Sequence, residues 1–128
     1  DRSVSRGLGD VYKRQISMSI ENVRKKKGLY RTGNLLIDMD SNIIQKGKEK
    51  IFIPKASFTI ISTLMDVPHK TVSRSALVFY LEQVYHHEIL DNTLTVHIAS
   101  IRRLLGDEYI KTHKTVGYFW DFDVFKVG

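Results

Sequence analysis

The segment from Asp91 to Gly106 constrains the fold of this chain more than any other part of the sequence. Its apolar side chains recur at steps of four, three and four residues, and they are Leu94, Ile98, Ile101 and Leu105. That spacing places them on one face of an α-helix, because successive helical residues are about 100° apart. Asp91 or Asn92 can cap the start of the helix with a short side-chain oxygen, and Gly106 can end it.

A second face of the same helix is polar and nearly free of charge. It is formed by Thr93, Val96, His97, Ser100 and Arg103. Two arginines stand in the last turn, where cations suit the helix dipole. Because most side chains on this face are short, the helix can approach another surface closely. The face is therefore a candidate for contact with a partner.

The residues after Gly106 predict a short β-hairpin. Residues 109–112 and 117–120 are rich in aromatic and β-branched side chains, and the tip between them contains His113, Lys114 and Thr115. The whole chain carries a net charge of +6 and has a pI of about 9.6. A basic domain favours a polyanionic partner. A polar helix face beside a basic hairpin is the geometry with which a winged helix meets DNA.

Shorter elements precede the helix. Residues 35–38, 43–45 and 51–53 are apolar or β-branched runs separated by turn residues, which predicts a small antiparallel sheet. Pro54 predicts the start of a helix that ends around Asp66. Ser73 is a good cap for a second helix, and the run Val84 to Leu90 reads as a loop before the polar-faced helix.

These motifs together resemble the DNA-binding domain of OmpR/PhoB-type response regulators. The resemblance rests on the order of several short motifs: NTLTVHI at 92–98, IRRLL at 101–105, IKT at 110–112, VGY at 116–118 and PHKTVSR at 68–74. It covers about residues 30 to 122. It implies an α+β winged helix-turn-helix with a small N-terminal antiparallel sheet, three helices and a C-terminal hairpin that forms the wing.

The resemblance also implies a domain organisation. The winged-helix domain is expected over residues 30–124. Residues 16–29 resemble the last helix and linker of a receiver domain, and residues 1–15 are expected to be a disordered tail or a non-native segment. The chain begins with Asp1 rather than Met, and we therefore expect it to be the output half of a longer regulator.

DNA contacts carry over from the family only to matching positions. Base contacts are expected from Thr93, His97 and Ser100, with Val96 able to touch a thymine methyl group. Lys114 and Thr115 at the wing tip are expected to reach phosphate or the minor groove. Backbone contacts are expected from Ser73, Arg74, Asn92 and Arg103. The family often has arginine where this chain has Ala99 and Ser100, so the specificity is expected to differ.

The expected function is that of a cytoplasmic, sequence-specific transcriptional regulator in a two-component system. Its partners would be double-stranded DNA, RNA polymerase through the loop Val84 to Leu90, and a sensor kinase acting through a receiver domain. No cofactor, metal or membrane contact is expected. A winged-helix module used for protein–protein contact, without specific DNA binding, is the alternative.

The acidic run at Asp38 and Asp40 also resembles two motifs of other functions. An apolar strand followed by Asp-x-Asp resembles the nucleophile motif of haloacid-dehalogenase-type phosphatases, but the chain lacks room for that fold. The same run mimics a calcium loop, yet Ile43 stands where a sharp turn needs glycine. The chain has no cysteine, which excludes thiolate zinc sites and disulfides. We therefore expect no enzyme activity here.

Overall fold

The computed structural model describes residues 27–127, which form two antiparallel sheets and three α-helices. The elements in chain order are β1 (Leu29–Thr32), β2 (Leu35–Asp38), β3 (Ile43–Lys46), β4 (Glu49–Phe52), α1 (Lys55–Asp66), β5 (Val72–Ser73), α2 (Arg74–Tyr85), α3 (Asp91–Leu105), β6 (Ile110–His113), β7 (Gly117–Trp120) and β8 (Phe125–Val127). This is the winged helix-turn-helix arrangement that the sequence predicts.

The first sheet has the strand order β4-β3-β2-β1-β8, and all its described pairings are antiparallel. Its hairpin turns at Gly33 and Gly47 have positive φ angles of 56° and 63°, which glycine adopts without steric cost. Side chains alternate between the two faces of a strand. One face is therefore buried against the helices, and its buried apolar residues are Leu35, Ile37, Ile44 and Ile51.

The three helices pack on one another and on that inner face. Helix α1 is buried along most of its length, including the side chains of Phe58, Ile61 and Leu64. Helix α2 begins at the Ser73 cap, whose hydroxyl accepts the Ala76 backbone N–H at 3.1 Å. Burial of these apolar side chains is the main favourable contribution to folding, at about 25 cal/mol per Å² removed from water.

The second sheet forms the wing and has the order β5-β7-β6. The very short strand β5 joins the helix-turn-helix to the hairpin, since Val72 pairs with Tyr118 and Ser73 pairs with Gly117. Gly117 is needed for this close pairing. A Cβ added there would lie 2.0 Å from the Val72 carbonyl oxygen, which is far inside contact distance.

A buried hydrogen bond connects the two sheets. The Trp120 indole Nε1–H on β7 donates to the Thr32 hydroxyl on β1 at 2.7 Å, and both residues are fully buried. Tyr109 lies against the Trp120 ring with the ring centres 5.5 Å apart. The wing is therefore anchored in the core of the domain.

The structure extends and corrects the predicted elements. The loop before α3 is shorter than predicted, because Val84 and Tyr85 are the last residues of α2. Strands β1, β5 and β8 were not predicted as strands, and β8 lies beyond the predicted domain end at residue 124. The predictions for residues 1–15 and for most of residues 16–29 lie outside the described residues.

We predict that Gly117→Ala destabilises the domain by about 3 kcal/mol or more, because the new Cβ collides with backbone that cannot move without breaking the β5–β7 pairing. Urea unfolding followed by circular dichroism measures this. Gly47→Ala is the control: Gly47 has a positive φ of 63°, which strains an alanine, but the new Cβ would lie in open space, so the loss should be only about 1–2 kcal/mol. Equal losses would contradict the packing argument.

Candidate nucleic-acid interface

Helix α3 turns one face inward and the opposite face to solvent. Leu94, Ile98, Ile101 and Leu105 are buried, as their spacing predicts. The exposed side chains of the helix are Asp91, Asn92, Thr95, Val96, Ala99, Arg103 and Leu104. Val96 keeps 58% of its surface accessible, which is high for a valine in a helix. The exposed side chains, such as Val96, are therefore accessible to a partner without a rearrangement of the domain.

His97 lies at the side of this face and is engaged within the protein. Its Nδ1 is 3.1 Å from the Ser57 hydroxyl on α1, and its Nε2 is 2.8 Å from the Tyr85 hydroxyl on α2. Partial burial lowers the pKa of His97, because desolvation penalises the charged ring. Both ring nitrogens are thus occupied by groups of the domain, which gives no support to the expectation that His97 reads bases.

Thr93 and Ser100, the other two expected base readers, are half-buried on α3. Asn92 and Arg103, expected to contact the DNA backbone, are both exposed near opposite ends of the helix. These four residues lie along the same helix as Val96, so the structure brings most of the expected contact set onto one element.

Arg74 is bonded to the N-terminal end of α3. Its guanidinium donates to the Asp91 carboxylate, with a closest distance of 2.7 Å, and to the Thr95 hydroxyl at 2.8 Å. It also donates to the Tyr118 hydroxyl on β7 at 2.6 Å. The Asp91 hydrogen bond raises the pKa of Arg74, so the group stays charged. These donors are directed at protein acceptors rather than at solvent.

Ser73, also expected to contact the DNA backbone, has its hydroxyl in the N-cap of α2 and 3.3 Å from the Ser75 hydroxyl. A cap of this kind satisfies a backbone donor that the first helical turn leaves unpaired. The structure thus gives Ser73 a local structural role at the start of the helix.

Tyr118 and Arg102 were not among the expected site residues. The Arg102 guanidinium donates to the Ile110 carbonyl oxygen at 2.8 Å and to the Thr112 hydroxyl at 2.8 Å, both on β6. Its central carbon lies 5.7 Å from the centre of the Tyr118 ring. From the sequence, Arg102 is an ordinary cation in the last turn of a helix. Its hydrogen bonds to the wing depend on how the hairpin packs against α3, which residue spacing does not reveal.

The wing tip is exposed and basic. Lys114, Thr115 and Val116 lie in the turn between β6 and β7, and the Val116 N–H closes that turn on the His113 carbonyl oxygen at 3.0 Å. Thr115 has a φ of 66°, a left-handed conformation that is unfavourable for a β-branched residue. The two residues expected to contact DNA from the wing therefore both project from its tip.

The helix-turn-helix is joined to the wing and to the C-terminal segment by contacts of two histidines, His113 and His69. The Thr71 hydroxyl lies 2.9 Å from Nδ1 of His113 on β6. Nε2 of His69 lies 2.7 Å from the Asp123 carboxylate, and the Asp121 carboxylate is 3.6 Å from its Nδ1. The hydrogen bond to Asp123 raises the pKa of His69.

The acidic run at Asp38 and Asp40 forms a turn rather than a catalytic pair. The Asp38 carboxylate accepts the Asp40 backbone N–H at 2.9 Å, which lowers the pKa of Asp38. Strands β2 and β3 flank this turn, where a calcium loop would have helices. Within residues 27–127, no cluster of three His, Cys, Asp or Glu side chains is placed to hold a metal ion. No helix in that range is long and apolar enough to cross a membrane.

A helix with an exposed face, held beside an exposed basic hairpin, defines the winged-helix class. Residues 47–120 match the family model described as "Transcriptional regulatory protein, C terminal". The chain therefore belongs to this family of transcriptional regulatory domains, which is not a class of enzymes.

Relatives and solved structures agree with this assignment. The response regulator GraR of Staphylococcus aureus is 27% identical over 117 residues, which is 87% of this chain and 49% of GraR. The response regulator DrrB, an OmpR/PhoB homologue of Thermotoga maritima, is 31% identical with a TM-score of 0.66, over 77% of this chain and 46% of DrrB.

A second similar structure contains DNA. The DNA-binding domain of the response regulator AdeR, in complex with an intercistronic region, is 25% identical with a TM-score of 0.60. It matches 70% of this chain and 95% of that one. The chain spans about half the length of the curated relatives it matches.

We predict that His97 and His69 titrate on opposite sides of the ordinary histidine pKa of 6.5, His97 below it and His69 above it. Stability linked to His97 is present above pH 6.5 and is lost as the pH falls from 6.5 to its lowered native pKa. Stability linked to His69 is present below pH 6.5 and is lost as the pH rises through its raised native pKa. NMR titration of the imidazole ring protons measures both, with His97→Gln and His69→Gln assigning the signals. Titration of His97 at or above 6.5 would show that its ring is not confined between Ser57 and Tyr85.

Proposed function

We propose that this chain is the DNA-binding output domain of a response regulator and that it binds duplex DNA through α3 and the wing. The observation that carries the proposal is the exposed face of α3 held beside the wing hairpin, since Arg102 in the last turn of α3 is hydrogen-bonded to Ile110 and Thr112 on β6. An α-helix fits the major groove of B-DNA, where each base pair presents a distinct pattern of donors, acceptors and methyl groups. The similar DNA-binding domain of AdeR has been solved in complex with an intercistronic region, which supports DNA as the partner.

We propose a revised division of roles among the expected contact residues. Val96 meets a thymine methyl group, and Thr93 and Ser100 approach base edges from the same helix. Lys114 and Thr115 reach phosphate or the minor groove from the wing, while Asn92 and Arg103 contact the sugar-phosphate backbone of the DNA. Arg74, Ser73 and His97 position these elements through their contacts within the domain.

The full regulator is proposed to act in the cytoplasm in a two-component system. A sensor kinase would control a receiver domain, and receiver dimerisation would raise the local concentration of a second DNA-binding domain. The loop before α3 exposes Leu90 over 78% of its surface, which makes it a suitable contact for RNA polymerase. The similarity to response regulators about twice as long as this chain supports this organisation.

One observation favours a second candidate, a winged-helix module that binds protein. The outer face of the first sheet exposes apolar side chains, notably Phe52 on β4 and Phe125 on β8, with 69% and 60% of their surfaces accessible. Exposed apolar patches often mark protein contacts. The two functions are distinguished by whether binding to random duplex DNA depends on salt.

We predict salt-dependent binding of the chain to random-sequence duplex DNA. Displacement of several condensed counterions gives a slope of log affinity against log salt of about −3 to −5. Fluorescence anisotropy across a salt series measures it. A slope near zero would remove the electrostatic basis of the proposal and favour the protein-binding alternative.

We predict that Val96→Ala weakens binding to the best selected DNA site by about 1–2 kcal/mol and leaves random DNA almost unaffected, because it removes methyl groups that contact a base. Lys114→Ala should weaken both DNAs alike and reduce the slope by about one. Phe52→Ala, an exposed apolar residue on the first sheet, is the control and should change neither. If Val96→Ala and Lys114→Ala behave alike on both DNAs, this division between base reading and backbone contact is wrong.

A further inference from the structure

Tyr118 on β7 lies where the wing meets both ends of α3. Its side chain is buried, and its hydroxyl accepts a hydrogen bond from Arg74 at 2.6 Å. The central guanidinium carbons of Arg74 and Arg102 lie 5.6 and 5.7 Å from the centre of its ring. One aromatic side chain is therefore held by two cations that come from different helices.

The two arginines reach the two ends of α3. Arg74 is bonded to Asp91 and Thr95 in the first turns of the helix. Arg102 belongs to the last turn and is bonded to β6 through the Ile110 carbonyl oxygen. The contacts form a closed path from the start of α3, through Arg74 and Tyr118 on β7, to Arg102 at the end of α3 and on to β6.

A closed path of contacts of this kind fixes the distance and the angle between the wing and α3. Hydrogen bonds that include a charged group are shorter and stronger than neutral ones, and the planar guanidinium of arginine holds several acceptors in a fixed geometry. The β5–β7 pairing joins the wing to the start of α2 over only two residue pairs, which leaves the tilt of the hairpin toward α3 to other contacts.

We propose that Tyr118, clamped between Arg74 and Arg102, is a positioning residue that sets the wing against α3 so that both reach one DNA duplex together. The inference rests on the proposed function for its purpose, but the geometry that it asserts exists without DNA. Tyr118 acts on the DNA-facing elements through the two arginines, which are bonded to the first turns of α3 and to β6.

The first test needs no DNA. Because the chain has no cysteine, Ala99→Cys on α3 and Lys114→Cys on the wing tip create the sole attachment sites for a pair of spin labels. Pulsed electron paramagnetic resonance then gives the distribution of distances between helix and wing. We expect a narrow distribution in the labelled parent and a broader or shifted one after Tyr118→Leu, which removes both the ring and the hydroxyl.

Two further variants keep this test decisive. Tyr118→Phe removes only the hydroxyl bonded to Arg74 and should broaden the distribution in the same direction, even if Tyr118→Leu fails to fold. Tyr109→Phe is the matched control, because its hydroxyl also accepts a hydrogen bond, from the Asn34 N–H at 3.0 Å, but toward the first sheet. A distribution unchanged by Tyr118→Phe, or broadened equally by Tyr109→Phe, would overturn the proposal.

The second test uses random duplex DNA and a chain without labels. Tyr118→Phe removes no charge, yet it should reduce the magnitude of the salt slope by about one, because Lys114 no longer holds its phosphate contact. Lys114→Ala should then cost far less affinity in the Tyr118→Phe background than in the parent. Weaker binding with an unchanged slope would instead make the Tyr118 hydroxyl a direct DNA contact. Absence of binding by the parent would refute the proposed function alone, since the label distances would still report the positioning.

Discussion

The buried hydrogen bond between Trp120 and Thr32 is the contact on which the arrangement of this domain depends. The indole N–H and the hydroxyl lie 2.7 Å apart, both fully buried, at the point where the wing passes the first sheet. A buried donor that loses its partner costs about 1–3 kcal/mol, so each group requires the other. Because Trp120 ends β7, this one bond fixes the position of the strand that also carries Gly117 and Tyr118.

The interface depends on that anchor in successive steps. With β7 held, Gly117 allows the close approach of β5, and β5 leads directly into α2. Tyr118 then meets Arg74 from the start of α2 and Arg102 from the end of α3. The exposed face of α3 and the wing tip thus occupy set positions through contacts made behind them, by residues that themselves face the protein.

Much of the fold could be predicted from the sequence, because local chemistry determines it. The step pattern of Leu94, Ile98 and Ile101 predicts α3, and Gly106 predicts its end; the structure confirms both. The Ser73 cap and the hairpin around Lys114 were predicted for similar reasons. By contrast, β8 was missed because the three residues of Phe125–Val127 carry little pattern of their own and form a strand only by pairing with β1.

The candidate site was less predictable, because spacing along a helix does not say what the other elements contribute. His97 shares a face with Thr93 and Ser100 by angle, yet Ser57 and Tyr85 arrive from two other helices to engage its ring. Arg74 reads as a cation available to phosphate, while Asp91 and Tyr118 are distant in sequence and adjacent in space. Such pairings are set by tertiary packing and become visible only in the structure.

NMR mapping with isotopically labelled protein can establish whether α3 and the wing together form the DNA-binding surface. Addition of a short duplex should shift the backbone amide signals of the exposed α3 residues, from Asn92 to Arg103, and of the wing tip around Lys114. Signals from the outer face of the first sheet, such as Leu36 and Phe52, should stay in place. Shifts centred on that sheet, with α3 and the wing unaffected, would show that DNA binds elsewhere on the domain.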